Sequence, residues 1–147
     1  MTVVGFNITS LKGETYPDKR QENANININS NPRIIAVKKA DIPVEGIADV
    51  LSIEFKFETS YDPRVGSIVV EGELFLQTDD SDKVLELWDE KSALHESVLL
   101  DVMNTILRKS LVKVVQLADD LRLPPPVRFP MYQRADETET KKKSRQN

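Results

Sequence analysis

Residues 50–77 read VLSIEFKFETSYDPRVGSIVVEGELFLQ, and the alternation in this stretch decides the predicted fold. From Leu51 to Glu58 every second residue is apolar and the residues between are polar or charged, which is typical of a strand with one buried and one solvated face. Residues 62–66 (DPRVG) carry turn residues at both ends, and Gly66 to Gln77 alternates again. The stretch predicts an antiparallel β-hairpin, in which Gly72 marks a bulge or a close backbone approach.

The residues before the hairpin predict further strands. Val3 to Leu11 alternates weakly, and Asn23 to Asn31 alternates isoleucines with asparagines. Pro32 is expected to break or bulge this second strand, because proline cannot donate to a ladder. Ile34 to Val37 then resumes an extended pattern, and Asp41 to Asp49 is expected to be a connection.

After the hairpin the apolar period changes from two to about 3.6 residues, which predicts helices. The acidic residues Asp79, Asp80 and Asp82 suit the first turn of a short helix, and residues 89–92 are expected to kink or end it. A long helix is expected from Ala93 to Leu121, with an apolar stripe wide enough to pack on a sheet. The predicted fold is α+β: an antiparallel four-strand sheet followed by a short helix and one long C-terminal helix packed on it.

The C-terminal end divides into an apolar, proline-rich segment and a polar tail. Residues 124–126 are three prolines, which end the long helix and impose an extended backbone. Apolar side chains follow up to Tyr132. From residue 133 the composition is polar and basic, which predicts disorder because such a segment cannot bury a core. We therefore expect a single α+β domain over residues 1–132 and a disordered tail over residues 133–147.

Composition excludes several function classes. The 147 residues contain no cysteine and one histidine, His95, which excludes thiolate catalysis, cysteine-based zinc sites and histidine clusters. The five glycines form no phosphate-binding motif, and the net charge of −4 argues against a nucleic-acid partner. The chain shows no signal-peptide pattern and no apolar run of transmembrane length. We expect a cytoplasmic protein without a membrane partner, which is not an enzyme and has no cofactor or metal.

Three polar groupings have a possible chemical role, and each also has a plainer structural interpretation. Glu71 and Glu73 share one strand face about 7 Å apart and suit a hydrolytic pair or a divalent cation, but a solvated strand face is the better interpretation. Residues 79–82 lack the glycine and the closing glutamate of a calcium loop, so a helix cap is the better interpretation. No serine is brought to His95 by the sequence, so we predict no catalytic residue.

The order of elements and two stretches of sequence resemble the SecB export chaperones and their SecB-like relatives. The run from Gly5-Phe6-Asn7-Ile8 to Tyr16-Pro17 is similar to the family's first strand and its apolar–proline turn. Asn104 to Tyr132 is similar to the family's final helix, which closes here as LPPPVRF over residues 123–129. The resemblance implies an ATP-independent holdase for protein transport, which binds unfolded polypeptides in apolar grooves between sheet and helix. It also implies assembly as a dimer or tetramer through edge strands and the long helix.

Under this resemblance, the expected client-binding residues are Val69, Phe75, Trp88, Phe129 and Tyr132. The oligomer interface is expected on the long helix, at Leu99, Met103, Ile106, Leu107 and Val114. For Trp88, packing in the core is the alternative. For Val69 and Phe75, the alternative is packing in the core or in an oligomer contact. The alternative function is an RNA- or ribosome-associated adaptor that uses the basic tail residues 141–145 together with Lys38 and Lys39. The client, the oligomer size, and the involvement of an export ATPase or a toxin–antitoxin pair stay open.

Overall fold

The computed structural model describes residues 2–16, 25–40 and 49–133. Within them lie four strands, β1 (Thr2–Thr15), β2 (Asn27–Lys39), β3 (Val50–Asp62) and β4 (Gly66–Gln77), followed by two helices, α1 (Ser81–Lys91) and α2 (Glu96–Asp120). Neighbouring strands are antiparallel and lie in the order β1-β4-β3-β2. The predicted fold class, an antiparallel four-strand sheet followed by a short and then a long helix, is confirmed.

Strands β3 and β4 form the centre of the sheet, as their alternation predicts. Their inward side chains, from Leu51 to Phe57 and from Ile68 to Leu76, are almost completely buried under the helices. A Cβ atom on Gly72 would lie 2.2 Å from the carbonyl oxygen of Asn7 on β1. Glycine therefore permits a close backbone approach at this point, which is one of the two roles that the sequence suggests for it.

Both edge strands differ from the predicted ones. β1 continues past the predicted end at Leu11 to Thr15, because these residues still pair with the start of β4. β2 runs unbroken through Pro32, so the expected break there is wrong, and the bulge lies further on between Ile34 and Ala36. Proline is tolerated because β2 is an edge strand, in which its nitrogen can face away from the ladder. The first residues of the predicted asparagine-rich strand, most of residues 41–49 and the tail from residue 134 lie outside the described residues.

The helices begin and end differently from the sequence prediction. Asp80 precedes α1 but makes no capping hydrogen bond with its side chain, and its carboxylate lies 3.3 Å from Nζ of Lys83 instead. α1 ends at Lys91, within residues 89–92 where a kink or a short loop is predicted, and Ser92 caps it in the left-handed conformation. α2 begins at Glu96, and His95 caps it, since Nδ1 accepts a hydrogen bond from the Ser97 amide at 3.4 Å.

The helices pack on one face of the sheet. α2 contacts all four strands and lies mainly over β4 and β3. α1 packs against the end of β2, where Nζ of Lys39 and Oδ1 of Asp82 lie 3.0 Å apart. Among the described residues, no helix covers the opposite face of the sheet, which is polar and carries mixed charges. The position of α2 decides which of its side chains are left for binding.

Candidate functional site

Helix α2 presents four rows of side chains, each with a spacing of four residues, because four residues slightly exceed one helical turn. The buried row faces the sheet, is at most 5% exposed, and consists of Val98, Val102, Ile106, Ser110, Val114 and Ala118. The outermost row is exposed and consists of Leu100, Asn104, Arg108, Val112 and Gln116. The two remaining rows flank the buried row, and their chemistry differs.

One flank of α2, which we call the apolar row, consists of Leu99, Met103, Leu107, Leu111 and Val115. Leu99 and Leu107 are 36% and 39% exposed, and the other three side chains are half-buried. The row is apolar over its whole length, although the buried row already supplies the contact with the sheet. A continuous apolar stripe open to solvent is typical of a binding surface.

The other flank shows which way the apolar row faces. This flank, the β1-side row, consists of Asp101, Thr105, Lys109, Lys113 and Leu117. Asp101 and Thr105 line a cleft of about 610 Å³ with the first residues of β1, and Leu117 lies beside Gly13 of the same strand. The apolar row is on the opposite side of α2, and since the strand order is β1-β4-β3-β2, it faces towards β2.

Strand β2 supplies a second apolar surface on that side. Ile28 and Ile34 are half-buried at the margin of the core, and Pro32 lies between them on the same face of the strand. Ser30 lies on the same face of β2, where its hydroxyl is 3.0 Å from that of Thr59, and α2 contacts β2. From this placement we infer a trough between the apolar row and the mainly apolar face of β2. We call it the trough.

The C-terminal segment, residues 123–133, extends this apolar surface beyond Val115. Leu123 is 4% exposed, and the hydroxyl of Tyr61 donates to the carbonyl oxygen of Pro124 at 2.8 Å. Burial also raises the pKa of the Tyr61 phenol. Phe129 then lies beside Val115, where both line a cavity of about 280 Å³. The large apolar side chains exposed on this segment are Phe129, Met131 and Tyr132.

The five residues predicted to bind clients do not lie on one surface. Val69 and Phe75 are half-buried on the face of β4 that points away from the helices. Trp88 packs against the margin of the core from α1, in line with its alternative interpretation. Phe129 and Tyr132 belong to the C-terminal segment, which adjoins the apolar row. Client binding by these residues stays a prediction.

The residues predicted at an oligomer interface are divided between two rows of α2. Leu99, Met103 and Leu107 belong to the apolar row, whereas Ile106 and Val114 belong to the buried row and are 0% exposed. The latter two cannot contact a second chain while α2 packs on the sheet. Leu111 and Val115 complete the apolar row and are missing from the predicted interface, although the spacing of four residues that begins at Leu99 identifies both.

The candidate groups for chemistry have structural roles. On the outward face of the sheet, Glu71 lies 4.0 Å from Nζ of Lys56, and the hydroxyl of Ser52 donates to Glu73 at 3.4 Å. In the described part of the chain, no group of three or more His, Cys, Asp or Glu side chains is placed to hold a metal ion. No helix there has both the length and the apolarity to cross a membrane. The apolar row and the trough are therefore the strongest candidate site.

Comparisons with known proteins give a likeness in structure. The chain matches no protein-family model and no curated protein. Among solved structures it is similar to the Mycobacterium tuberculosis SecB-like chaperone Rv1957, in complex with a ChAD peptide from the Rv1956 HigA1 antitoxin. That likeness has a TM-score of 0.47 and 15% sequence identity, and covers 90% of this chain and 91% of the other.

Proposed function

We propose that this protein is an ATP-independent holdase, which binds unfolded polypeptide segments in the trough beside the apolar row. The observation that carries the proposal is the exposure of Leu99 and Leu107 within an unbroken apolar row. Such a surface binds by burial of apolar side chains and needs no catalytic group. Phe129 and Tyr132 are included in the proposed client surface, because the C-terminal segment continues the row past Val115.

The trough is long enough for a short extended segment. Leu99 to Val115 spans about 24 Å along the helix, which matches about seven residues of an extended chain. Because alternate side chains of an extended chain point to the same side, about three or four of them can contact the apolar row. Recognition then requires apolar residues at alternate positions and no particular sequence.

The strength of this binding follows from the apolar area. A large apolar side chain that becomes fully buried contributes about 1.5–3 kcal/mol, and association costs at least about 4 kcal/mol. Three or four client side chains therefore give weak and reversible binding. Such binding holds an unfolded chain and releases it without a nucleotide, and it survives high salt because it does not depend on charge.

We also propose that the chain self-associates through α2 as a dimer or tetramer. The apolar row is symmetric about Leu107, so in an antiparallel pair of α2 helices Leu99 of one copy faces Val115 of the other. Met103 of one copy likewise faces Leu111 of the other. Client binding and self-association use the same row. For each variant, the suppression of client aggregation and the molar mass in solution must therefore both be measured.

Light scattering of the purified protein, with and without a reduced and unfolded client protein, tests the proposal. We expect suppression of client aggregation at low and at high salt. Leu107→Asp places a charge in the middle of the apolar row and is expected to weaken suppression severalfold. Val112→Asp is the matched control, because Val112 is 59% exposed on the same helix but lies in the outermost row.

The molar mass of each variant separates the two uses of the row. Loss of suppression by Leu107→Asp at an unchanged molar mass supports client binding at the row. A lower molar mass with full suppression assigns the row to subunit contact and contradicts the client proposal. An equal loss in both variants also contradicts it, because the effect then follows from added charge and not from the row.

The RNA-adaptor alternative has less support in the structure. Nζ of Lys38 lies 2.9 Å from Glu54 and Nζ of Lys39 lies 3.0 Å from Asp82. In each case the hydrogen bond and the charge of the carboxylate raise the pKa of the lysine. Because both charges are compensated within the chain, the alternative rests on tail residues 141–145, which lie outside the described residues. RNA binding that falls steeply with salt would favour it.

A further inference from the structure

Three cations stand on the side of α2 that faces away from the apolar row. Lys109 and Lys113 lie in the middle of the β1-side row, and Arg108 lies next to them in the outermost row. All three are exposed, and no carboxylate of the described residues lies within 4.0 Å of them. Nε of Arg108 donates to the carbonyl oxygen of Asn104 at 3.4 Å. This flank therefore has positive charge without a partner in the described part of the chain.

Below these cations, β1 presents a sheet edge without a described partner. Its 14 residues pair with β4 on one side only, and they contain no proline. The cleft of about 610 Å³ lies between this strand and α2, and Thr2, Val3, Asp101 and Arg108 are among its lining residues. An unpaired edge of this length offers a row of amide and carbonyl groups to a further strand.

The opposite edge of the sheet is less suited to strand addition. On β2, Pro32 lacks an N–H group, and a proline in an edge strand has its nitrogen on the unpaired side. Both edge strands contain bulges, β2 at Ile35 and β1 at Val4 and Thr9, so the proline is the feature that distinguishes the two edges. Strand addition is therefore favoured at β1, on the side that carries the cations.

The spacing of the two lysines matches that of an added strand. Lys109 and Lys113 are four residues apart on α2, which is about 6 Å along the helix axis. Alternate residues of a strand lie about 7 Å apart and point to the same face. Leu11 of β1 is 41% exposed on the face that α2 covers, so an added strand there would also bury apolar surface.

We propose that an extended acidic peptide segment docks on β1 as a fifth strand, with carboxylates at alternate positions paired to Lys109 and Lys113. The main chain of β1 supplies the hydrogen bonds, and the lysines select Asp or Glu at the two positions that face α2. This interaction goes beyond the proposed holdase function and does not use the apolar row.

A synthetic peptide that alternates valine with glutamate is the probe, and a valine–glutamine peptide of equal length is its control. We expect the glutamate peptide to bind the full chain about tenfold more tightly at low salt, because each exposed pair contributes up to about fivefold. The difference should shrink as salt is raised. Lys109→Gln combined with Lys113→Gln should remove it, whereas Lys91→Gln, a lysine variant on α1, should retain it.

Methylation of alternate peptide amides tests strand addition without changing the protein. Only every second amide of an added strand points to β1, so methyl groups on one set of amides should abolish binding and those on the other set should not. Hydrogen exchange should slow in β1 when the unmethylated peptide binds.

Three results would overturn the proposal. Equal affinity of the two peptides contradicts the pairing with the lysines, and equal loss from either set of methyl groups contradicts strand addition. If the free protein is a dimer whose β1 amides are already protected, a second copy occupies this edge and an acidic peptide does not. Aggregation suppression is unaffected by these results, so failure here is distinguishable from failure of the holdase proposal.

Discussion

The two flanks of α2 differ in chemistry and in the sheet edge beside them. The apolar row faces β2, whose edge contains Pro32. The β1-side row carries Lys109 and Lys113 above β1, whose edge contains no proline. One helix thus separates a surface that offers apolar side chains from a surface that offers charge and free backbone groups.

Under the two proposals, one fold binds polypeptides in two physically distinct ways. Binding at the apolar row depends on the area that is buried, so it tolerates salt and many sequences. Binding at β1 depends on main-chain hydrogen bonds and on charge, so it requires an extended acidic segment and weakens with salt. The buried row between the two flanks anchors α2 on the sheet and so fixes the position of both flanks. A substitution in the buried row is therefore expected to have the largest effect.

The largest effect is expected from Ile106→Ala. Ile106 is 0% exposed in the buried row, and its truncation should lower the free energy of unfolding by about 2–5 kcal/mol. Leu107→Ala, the neighbouring position in the apolar row, should lower it by less than about 1 kcal/mol, because that side chain is 39% exposed. Urea denaturation of the two variants gives both values. Equal losses would mean that α2 is rotated and that the two flanks are wrongly assigned.

This pair also shows what the sequence could predict of the site. The apolar period identifies α2 as a helix, but the stripe read from the sequence mixes Leu99, Ile106 and Leu117, which lie in three different rows. Successive members of the buried row are displaced around the helix by about 40°. The sequence alone does not contain the direction in which α2 crosses the sheet, so it cannot separate the buried row from its flanks.

The same limit applies to the strands. The central hairpin is predictable because the alternation from Leu51 to Gln77 reflects burial of one face only. The alternation of β1 and β2 does not reveal that they lie at opposite edges, since strand order depends on pairing between distant segments. For that reason Pro32 was expected to interrupt a strand, whereas at an edge it is accommodated. The difference between the two sheet edges is therefore visible only in the structure.

A second prediction concerns the contact between the β1-side row and its strand. A Cβ atom on Gly13 would lie 2.7 Å from Cδ1 of Leu121. Because Cδ1 is the end of a side chain that can rotate away, Gly13→Ala should lower the free energy of unfolding by about 1 kcal/mol or less through overpacking. Glu14→Ala is the control, because Glu14 is the exposed next residue on the other face of β1. A melting temperature unchanged by Gly13→Ala would show that this flank is loosely packed on β1.

A third prediction concerns the anchor of the C-terminal segment at the end of the apolar row. Tyr61→Phe removes the 2.8 Å hydrogen bond to Pro124 and should cost about 1 kcal/mol. Burial raises the pKa of Tyr61 in the folded state, so its protonated form is favoured by folding. This contribution is complete below the unfolded pKa of about 10 and is lost as pH rises through the higher folded value.

The difference in stability between the wild-type protein and Tyr61→Phe should therefore shrink in alkaline solution. Chemical denaturation of both proteins, at neutral pH and at a pH above about 10, measures this difference in stability. Tyr132→Phe is the control, because it removes the same hydroxyl from an exposed side chain. A difference that grows with pH would contradict the anchoring of the segment by a protonated Tyr61.

The smallest effect is expected from Ser110→Ala, and its sign is the informative part. Ser110 is 0% exposed in the buried row, and its Oγ has no hydrogen-bond partner among the described residues. Removal of an unpaired buried hydroxyl should raise the free energy of unfolding by about 0.5–1 kcal/mol. Ser97→Ala makes the same chemical change near the start of α2, where the side chain is exposed and lies 3.1 Å from Nδ1 of His95. If calorimetry shows that Ser110→Ala is destabilising, the Ser110 hydroxyl is not an unpaired buried group. If the variant is instead more stable and both flanks bind as before, the buried row fixes the position of α2 without taking part in binding.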